Sequence, residues 1–161
     1  MDGHLGDLLN RFAKTGNVEW IGLRPMHRAR MEVVRAADVQ LSGLVGDRRR
    51  VAGKRAVTLV QLEHLPVIAS LANLGSVRPE QLRRNIVVSG VNLLALRSKT
   101  FQIGEVVLQG SGLCAPCSRM EEELGSGGYT AVRGHGGITA SVVSSGRLAI
   151  GDEVVPTIEN Q

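Results

Sequence analysis

Short β-branched and aliphatic runs, cut every few positions by glycine, proline or a charged turn, limit most narrowly how this chain folds. The runs Asn17–Leu23, Arg30–Ala36, Ala56–Val60, Asn85–Ser89, Thr100–Ile103, Val106–Gln109, Ile138–Ser144, Arg147–Ile150 and Glu153–Pro156 each predict a strand. Pro25 halts the first of them, and Ser145-Gly146 is expected to turn Ile138–Ser144 back onto Arg147–Ile150. Helical spacing is confined to a few places. Over Gln61–Leu74, Leu62, Leu65, Ile68, Ala69 and Ala72 share one face, with Pro66 ending or kinking the first turn and Gly75 closing the helix. A DLLNRFAK helix within residues 1–16 reads as a peripheral arm. Arg78–Leu82 reads as a turn or a single helical turn opened by Pro79, and Leu41–Arg50 and Gly125–Gly137 read as loops. Close-set strands with so few helices predict a mainly β fold, a β-barrel with a few peripheral helices, over a doubly wound sheet.

Aromatic residues make up only 2% of the 161 residues, so the core has to be built from Val, Leu, Ile and Ala. No apolar stretch is long enough to predict a membrane-spanning helix, and the acids in MDGHLGDLLNRF do not suit a signal peptide. The net charge of +4 suits an anionic small ligand. It would also suit nucleic acid, but the chain offers almost no aromatics for base stacking and no nucleic-acid motif, so neither nucleic acid nor a membrane is expected as partner. Two cysteines make no disulfide framework, and a reducing cytoplasmic setting is expected.

Both cysteines lie in GSGLCAPCSRMEEELG, residues 110–125. SRMEEEL predicts a helix with Ser118 as N-cap and Glu121–Glu123 in its early turns. A thiol just before a helix start favours thiolate, so Cys117 is a candidate nucleophile, redox thiol or metal ligand. Zinc lacks a second C-x-x-C, and His135 is the only histidine nearby in sequence. A C-x-P-C leading into a helix also looks like a thioredoxin-like redox site, with Val155-Pro156-Thr157 downstream as a proline loop; against this, the motif follows a series of short strands and no aromatic precedes it. Two basic clusters complete the candidates. Arg48-Arg49-Arg50 stands with Lys54 and Arg55, and Asp47 can hold an arginine in place. Arg83-Arg84-Asn85 sits where a turn meets a buried strand, and such guanidiniums can fork onto phosphate oxygens. The glycines of Gly134-His135-Gly136-Gly137 suggest tight backbone geometry, and no G-x-G-x-x-G or Walker pattern supports a nucleotide cofactor.

In this order, GLVGDR (43–48), RAVTLV (55–60), LRRNIVVSGVNL (82–93), FQIG (101–104), CAPC (114–117) and the closing Gly146…IGDEV (150–154) resemble the MOSC domain, the family named for the C-terminal domain of molybdenum cofactor sulfurases. The resemblance implies a MOSC-type β-barrel over residues 17–156, between an arm (1–16) and a tail (157–161). It implies molybdenum cofactor, a molybdopterin, with the Cys117 thiolate as metal ligand and catalytic residue. It places Arg83 and Asn85 of the family's R-x-N pattern near the pterin phosphate, and adds Arg48, His27 and Arg28 to the cofactor-binding set. The implied activity is reduction of N-hydroxylated compounds, a small-molecule substrate, with electrons from a separate donor protein. Pyridoxal phosphate is not expected. Sulfur carriage as a Cys117 persulfide, and thiol–disulfide exchange between Cys114 and Cys117, are the alternative functions.

Overall fold

Seven strands close on themselves in the order β11-β7-β8-β9-β5-β6-β1, with β11 paired back onto β1. The computed structural model describes residues 3–49 and 51–157; Arg50 of the basic run and all but the first residue of the tail at 157–161 lie outside them. The strands are β1 (Gly16–Leu23), β2 (Glu32–Val34), β3 (Ala36–Gln40), β4 (Gly43–Leu44), β5 (Val57–Gln61), β6 (Ile86–Ser89), β7 (Thr100–Ile103), β8 (Val106–Leu113), β9 (Ile138–Ser144), β10 (Gly146–Ala149) and β11 (Glu153–Pro156). The helices are α1 (Gly3–Leu9), α2 (Leu65–Leu71), α3 (Pro79–Leu82), α4 (Ser118–Leu124) and α5 (Gly128–Val132). The mainly β barrel expected from the strand spacing is therefore the fold. β2 extends the sheet beyond β1, and β10-β3-β4 form a small second sheet.

Strand parity explains how so few aromatics fill the core. β5 is buried at every position because both its faces are covered. Val57 and Leu59 point into the barrel with Ile86 and Val88 of β6, whereas Val60 and Val87 face outward into a second apolar cluster. That outer cluster is the bed for the helices: Ile68 and Ala69 of α2, Leu82 of α3, Met120 and Leu124 of α4, and Val132 of α5. Met120 and Leu124 stand four residues apart, on one face of α4. Burying them contributes about 2 kcal/mol each and leaves Glu121, Glu122 and Glu123 outside. All neighbouring strand pairs in the barrel are antiparallel save β5 and β6, which run parallel. The link between those two carries α2 and α3, a crossover that a parallel pair requires.

Several local expectations change. β10 does not turn back onto β9, because both edges of β9 are already taken, by β5 and by β8; β10 pairs with β3 instead. β3 was not expected, and it forms because Ala37 and Val39 reach the barrel core. The run Arg30–Ala36 is correspondingly divided between β2 and β3. β8 runs on through Gly110-Ser111-Gly112 to Leu113, since β9 supplies a partner along that length across a bulge. The predicted helix over Gln61–Leu74 begins as a 3-10 turn at Leu62–His64, and Pro66 lies in the first turn of α2, where its missing N–H costs nothing.

The expected Gly125–Gly137 loop contains α5. The Glu121 carboxylate accepts hydrogen bonds from the backbone N–H groups of Gly127 and Tyr129, so an acid of α4 caps the next helix. These bonds from Tyr129 and Gly127 hold the Glu121 carboxyl below its ordinary pKa. Ser118 is not the N-cap of α4 as predicted; Cys117 is, in extended conformation, and its carbonyl accepts from Met120 N–H at 2.9 Å.

Gly137 joins the turn after α5 to the barrel. It sits at φ +90°, and a Cβ there would fall 1.8 Å from the Leu59 carbonyl oxygen. Gly137→Ala is expected to cost roughly 3 kcal/mol or more, measured by urea denaturation. An exposed change such as Gly75→Ala, with nothing within 4 Å of the new methyl, should shift stability far less.

Candidate functional site

A cavity of about 300 Å³ lies where the cysteine loop meets the turn before β6. The loop's position is set by Arg84. This guanidinium is buried and donates to four carbonyls: Gly136 at 2.8 Å, Leu82 at 3.1 Å, Ala115 at 3.3 Å and Cys114 at 3.4 Å. None of these partners is a carboxylate. Burial pulls Arg84 below its ordinary pKa, and the two cysteines pull in the opposite direction. The Cys114 N–H also donates to the Gly137 carbonyl at 2.9 Å. The loop is thus tied by its backbone, with Cys114 turned into the protein and Cys117 exposed at the cavity.

The opposite wall is set by Asp47 and Asn85. Both Asp47 carboxylate oxygens are used. Oδ1 accepts from Arg24 N–H at 2.7 Å, Arg24 Nε at 3.2 Å and Asn85 Nδ2 at 3.2 Å, and Oδ2 accepts from Arg24 Nη2 at 2.9 Å. Asn85 is fully buried. Its Oδ1 accepts from Thr58 N–H and Thr58 Oγ1, each at 3.2 Å, and its Nδ2 donates also to the Gly22 carbonyl. Asn85 therefore spans β5, the end of β1 and the Asp47 turn.

The residues expected at the site divide accordingly. Cys117, Arg48, Arg83, His27 and Arg28 all line the cavity. Asn85, expected beside a ligand, is instead behind the wall, with its amide used by protein groups. Arg48 Nη1 and His27 Nδ1 lie 2.6 Å apart, and since a guanidinium only donates, the His27 nitrogen accepts. Arg28, in a left-handed conformation at φ +61°, forms an exposed ion pair with Glu122 at 3.2 Å. Arg83 ends α3, also left-handed, and its Nη1 donates to the Ala29 carbonyl at 2.6 Å. Its Nη2 is buried without a partner, as is Nε of Arg119.

Arg55, singled out with the first basic cluster, also lines the cavity, and so do Arg24 and Arg119, which sequence reasoning missed. The signal for Arg24 was Asp47, a lone acid before an arginine run; Arg119 follows the cysteine motif directly but reads as the exposed face of a helix. With Arg28, Arg48, Arg83 and Arg84, these make a cavity wall of guanidiniums with, among the described residues, no carboxylate. Burial, and then the charges of Arg119, Arg24 and Arg48, push Arg83 below its ordinary pKa, so the cluster repels itself. An anion in the cavity would relieve that repulsion.

Two other features sit elsewhere. The His135 ring packs edge-on against His64, ring centres 5.4 Å apart, and does not line this cavity. Pro156 pairs with Phe101 in the barrel wall and is not a loop facing the thiols, which removes that support for a thioredoxin-like site. Among the described residues no three of His, Cys, Asp and Glu group to hold a metal ion, so a metal at Cys117 must bring its other ligands with it.

The Asp47–Arg24 pair yields a pH test. Burial would raise the Asp47 carboxyl, but the Arg24 hydrogen bonds and charge, with Asn85, overcome it and hold the pKa below 3.8. Its stabilisation is present above about pH 4 and is lost as pH falls through the lowered folded-state value. Asp47→Asn is expected to cost about 3 kcal/mol at pH 7 in urea unfolding, with the gap from wild type closing toward pH 3.

The family model for the MOSC domain matches residues 6–155. No curated protein matches the chain. Among solved structures, the YuaD protein from Bacillus subtilis aligns with a TM-score of 0.80 at 20% identity, covering 91% of this chain and 98% of that one. YiiM from Escherichia coli aligns with a TM-score of 0.70 at 18% identity, over 90% of this chain and 71% of that one. YiiM from Geobacillus stearothermophilus gives 0.67 at 15% identity, over 88% and 75%. At these identities the structural likeness speaks to the fold, and the matched model, which spans most of the chain, carries the assignment: this protein belongs to the MOSC domain family.

Proposed function

We propose that the chain binds molybdenum cofactor in the arginine-lined cavity, with the Cys117 thiolate as metal ligand, and reduces N-hydroxylated compounds. The observation that carries this reading is the meeting of an exposed thiol with a cluster of guanidiniums, two of which, Arg83 and Arg119, keep buried donor atoms without partners. The donor set fits the group. A thiolate is a soft ligand suited to molybdenum, and unsatisfied guanidinium donors suit a phosphate. When bound, the cofactor supplies a metal centre able to accept an oxygen atom from an N–O bond.

The chain's own residues hold and orient. Cys117 anchors the metal end, on a loop whose backbone Arg84 keeps in place. Arg83 and Arg119, with Arg48, face the phosphate. His27 and Arg28 form the rim. Asn85 acts from behind, keeping Thr58, Gly22 and Asp47 in register so that the arginine wall keeps its shape. The activity requires a separate electron-donor protein in addition to the small-molecule substrate, and the reading places the protein in the cytoplasm.

Molybdenum analysis of protein from a cofactor-competent host tests the assignment. Wild type is expected to carry near-stoichiometric molybdenum, Cys117→Ala to lose it, and Arg83→Ala to retain less than half. Absence of molybdenum from wild type would overturn the reading. A sulfur adduct on Cys117 in the mass spectrum of such protein would support the persulfide carrier instead.

A further inference from the structure

Two loops beside the cavity carry charge of one sign only. One, residues 24–30, leaves the end of β1; the other, residues 48–55, leads toward β5. Together they hold eight of the chain's 19 lysines and arginines and no aspartate or glutamate. The fold sets them side by side: Arg48 N–H donates to the Arg24 carbonyl at 2.6 Å, and Arg48 Nη1 to His27 Nδ1. Asp47, just outside the second loop, is buried and spent on Arg24. Among the described residues, the one other acid in an ion pair with these loops is Glu122, with Arg28 at the surface.

The outer part of this patch does not belong to the cavity lining. Arg30 and Lys54 are exposed and stand two residues and one residue along the chain from Arg28 and Arg55, which do line it. The same loops carry Val51, 70% exposed, and Met26, 67% exposed, the two most exposed large apolar side chains among the described residues. Arginine and methionine are enriched where proteins meet proteins. Neither loop has an aromatic residue, the type that stacks on bases or seats at a lipid interface. The barrel interior is packed with side chains, so Cys117 is approached at the cavity and not through the barrel.

We infer that this basic rim is the docking surface for an acidic electron-donor protein, one that presents carboxylates around a redox centre at its own surface. The inference rests on the reductase reading only in making the docked partner the donor. Reduction of N–OH to N–H takes two electrons and two protons and releases one water; the partner supplies the electrons and solvent the protons. Electron-transfer encounters of this kind are small, and complementary charge steers them. Arg30 and Lys54 supply field at the rim, and Met26 and Val51 supply apolar contact.

The test is calorimetric titration of the purified full chain, from the cofactor-competent host, with a flavodoxin and with a plant-type iron–sulfur ferredoxin, both acidic proteins. A short DNA duplex and vesicles of phosphatidylcholine and phosphatidylserine are titrated alongside. At least one of the two proteins is expected to bind saturably at about 20 mM salt, and about tenfold more weakly at about 200 mM. Arg30→Glu with Lys54→Glu is expected to weaken binding about tenfold or more, and Met26→Ser with Val51→Ser several-fold. All four side chains are exposed, so the fold should survive. Arg11→Glu with Lys14→Glu, beyond the opposite end of β1, makes the same change in net charge and should leave binding within twofold. Binding of neither protein, binding indifferent to the rim reversal, or tighter binding of the duplex or the vesicles would each overturn the docking surface. Rim-dependent binding by a chain that purifies without molybdenum would keep the surface and remove the reductase reading. A molybdenum-loaded chain that binds neither protein would remove the surface alone.

Discussion

Three consecutive residues hold this structure's chemistry together. Arg83 ends α3 in a left-handed conformation, lines the cavity and keeps a buried donor without a partner. Arg84 turns the other way and gathers four backbone carbonyls, two of them from the cysteine loop. Asn85 turns back and binds β1, β5 and Asp47. At the turn from α3 into β6 these three side chains reach different partners, so one short segment braces both the cysteine loop and the Asp47 turn. Arg84 is the costliest of the three. A buried cation without a counter-ion is tolerated only when its donors are satisfied, and here carbonyls satisfy them. Removing Arg84 would release the cysteine loop and leave those carbonyls unpaired.

The barrel makes this segment rigid. β5 and β6 are parallel neighbours, buried on both faces, between the barrel interior and the helix bed. Thr58 at the start of β5 and Asn85 just before β6 are hydrogen-bonded backbone to side chain in both directions, which registers the two strands at the site. The cysteine loop is the other fixed part. It leaves β8, passes over Arg84, and enters α4, which is anchored by Met120 and Leu124. Exposed thiol and arginine wall are therefore held by separate parts of the core that meet only in the folded barrel.

The division of charge follows from the same arrangement. Acids near the site are spent on structure. Asp47 holds Arg24, Glu121 caps α5, and Glu122 and Glu123 pair with Arg28 and Arg119 at the surface, where such pairs contribute little. Among the described residues the cavity lining carries arginines and no carboxylate, a field that favours an anion.

Much of this was legible in the chain itself. Alternating short runs specified a mainly β barrel, because strand periodicity and turn residues act locally. Cys117 stood out as a thiol before a helix, and Arg83 and Arg48 as cations beside turns. What the sequence could not supply was partnership. β3 and the far half of β8 exist because neighbours offer edges and core, and α5 exists because Glu121 reaches across to cap it. Asn85 reads as a cofactor-binding residue of the R-x-N pattern, yet it is buried with its amide spent on protein groups and serves as a brace. Arg24, Arg55 and Arg119 are scattered along the chain and converge only when the barrel closes. Local chemistry is set by residue type and spacing; which side chain faces the ligand and which holds the wall depends on long-range packing, and only the tertiary structure decides it.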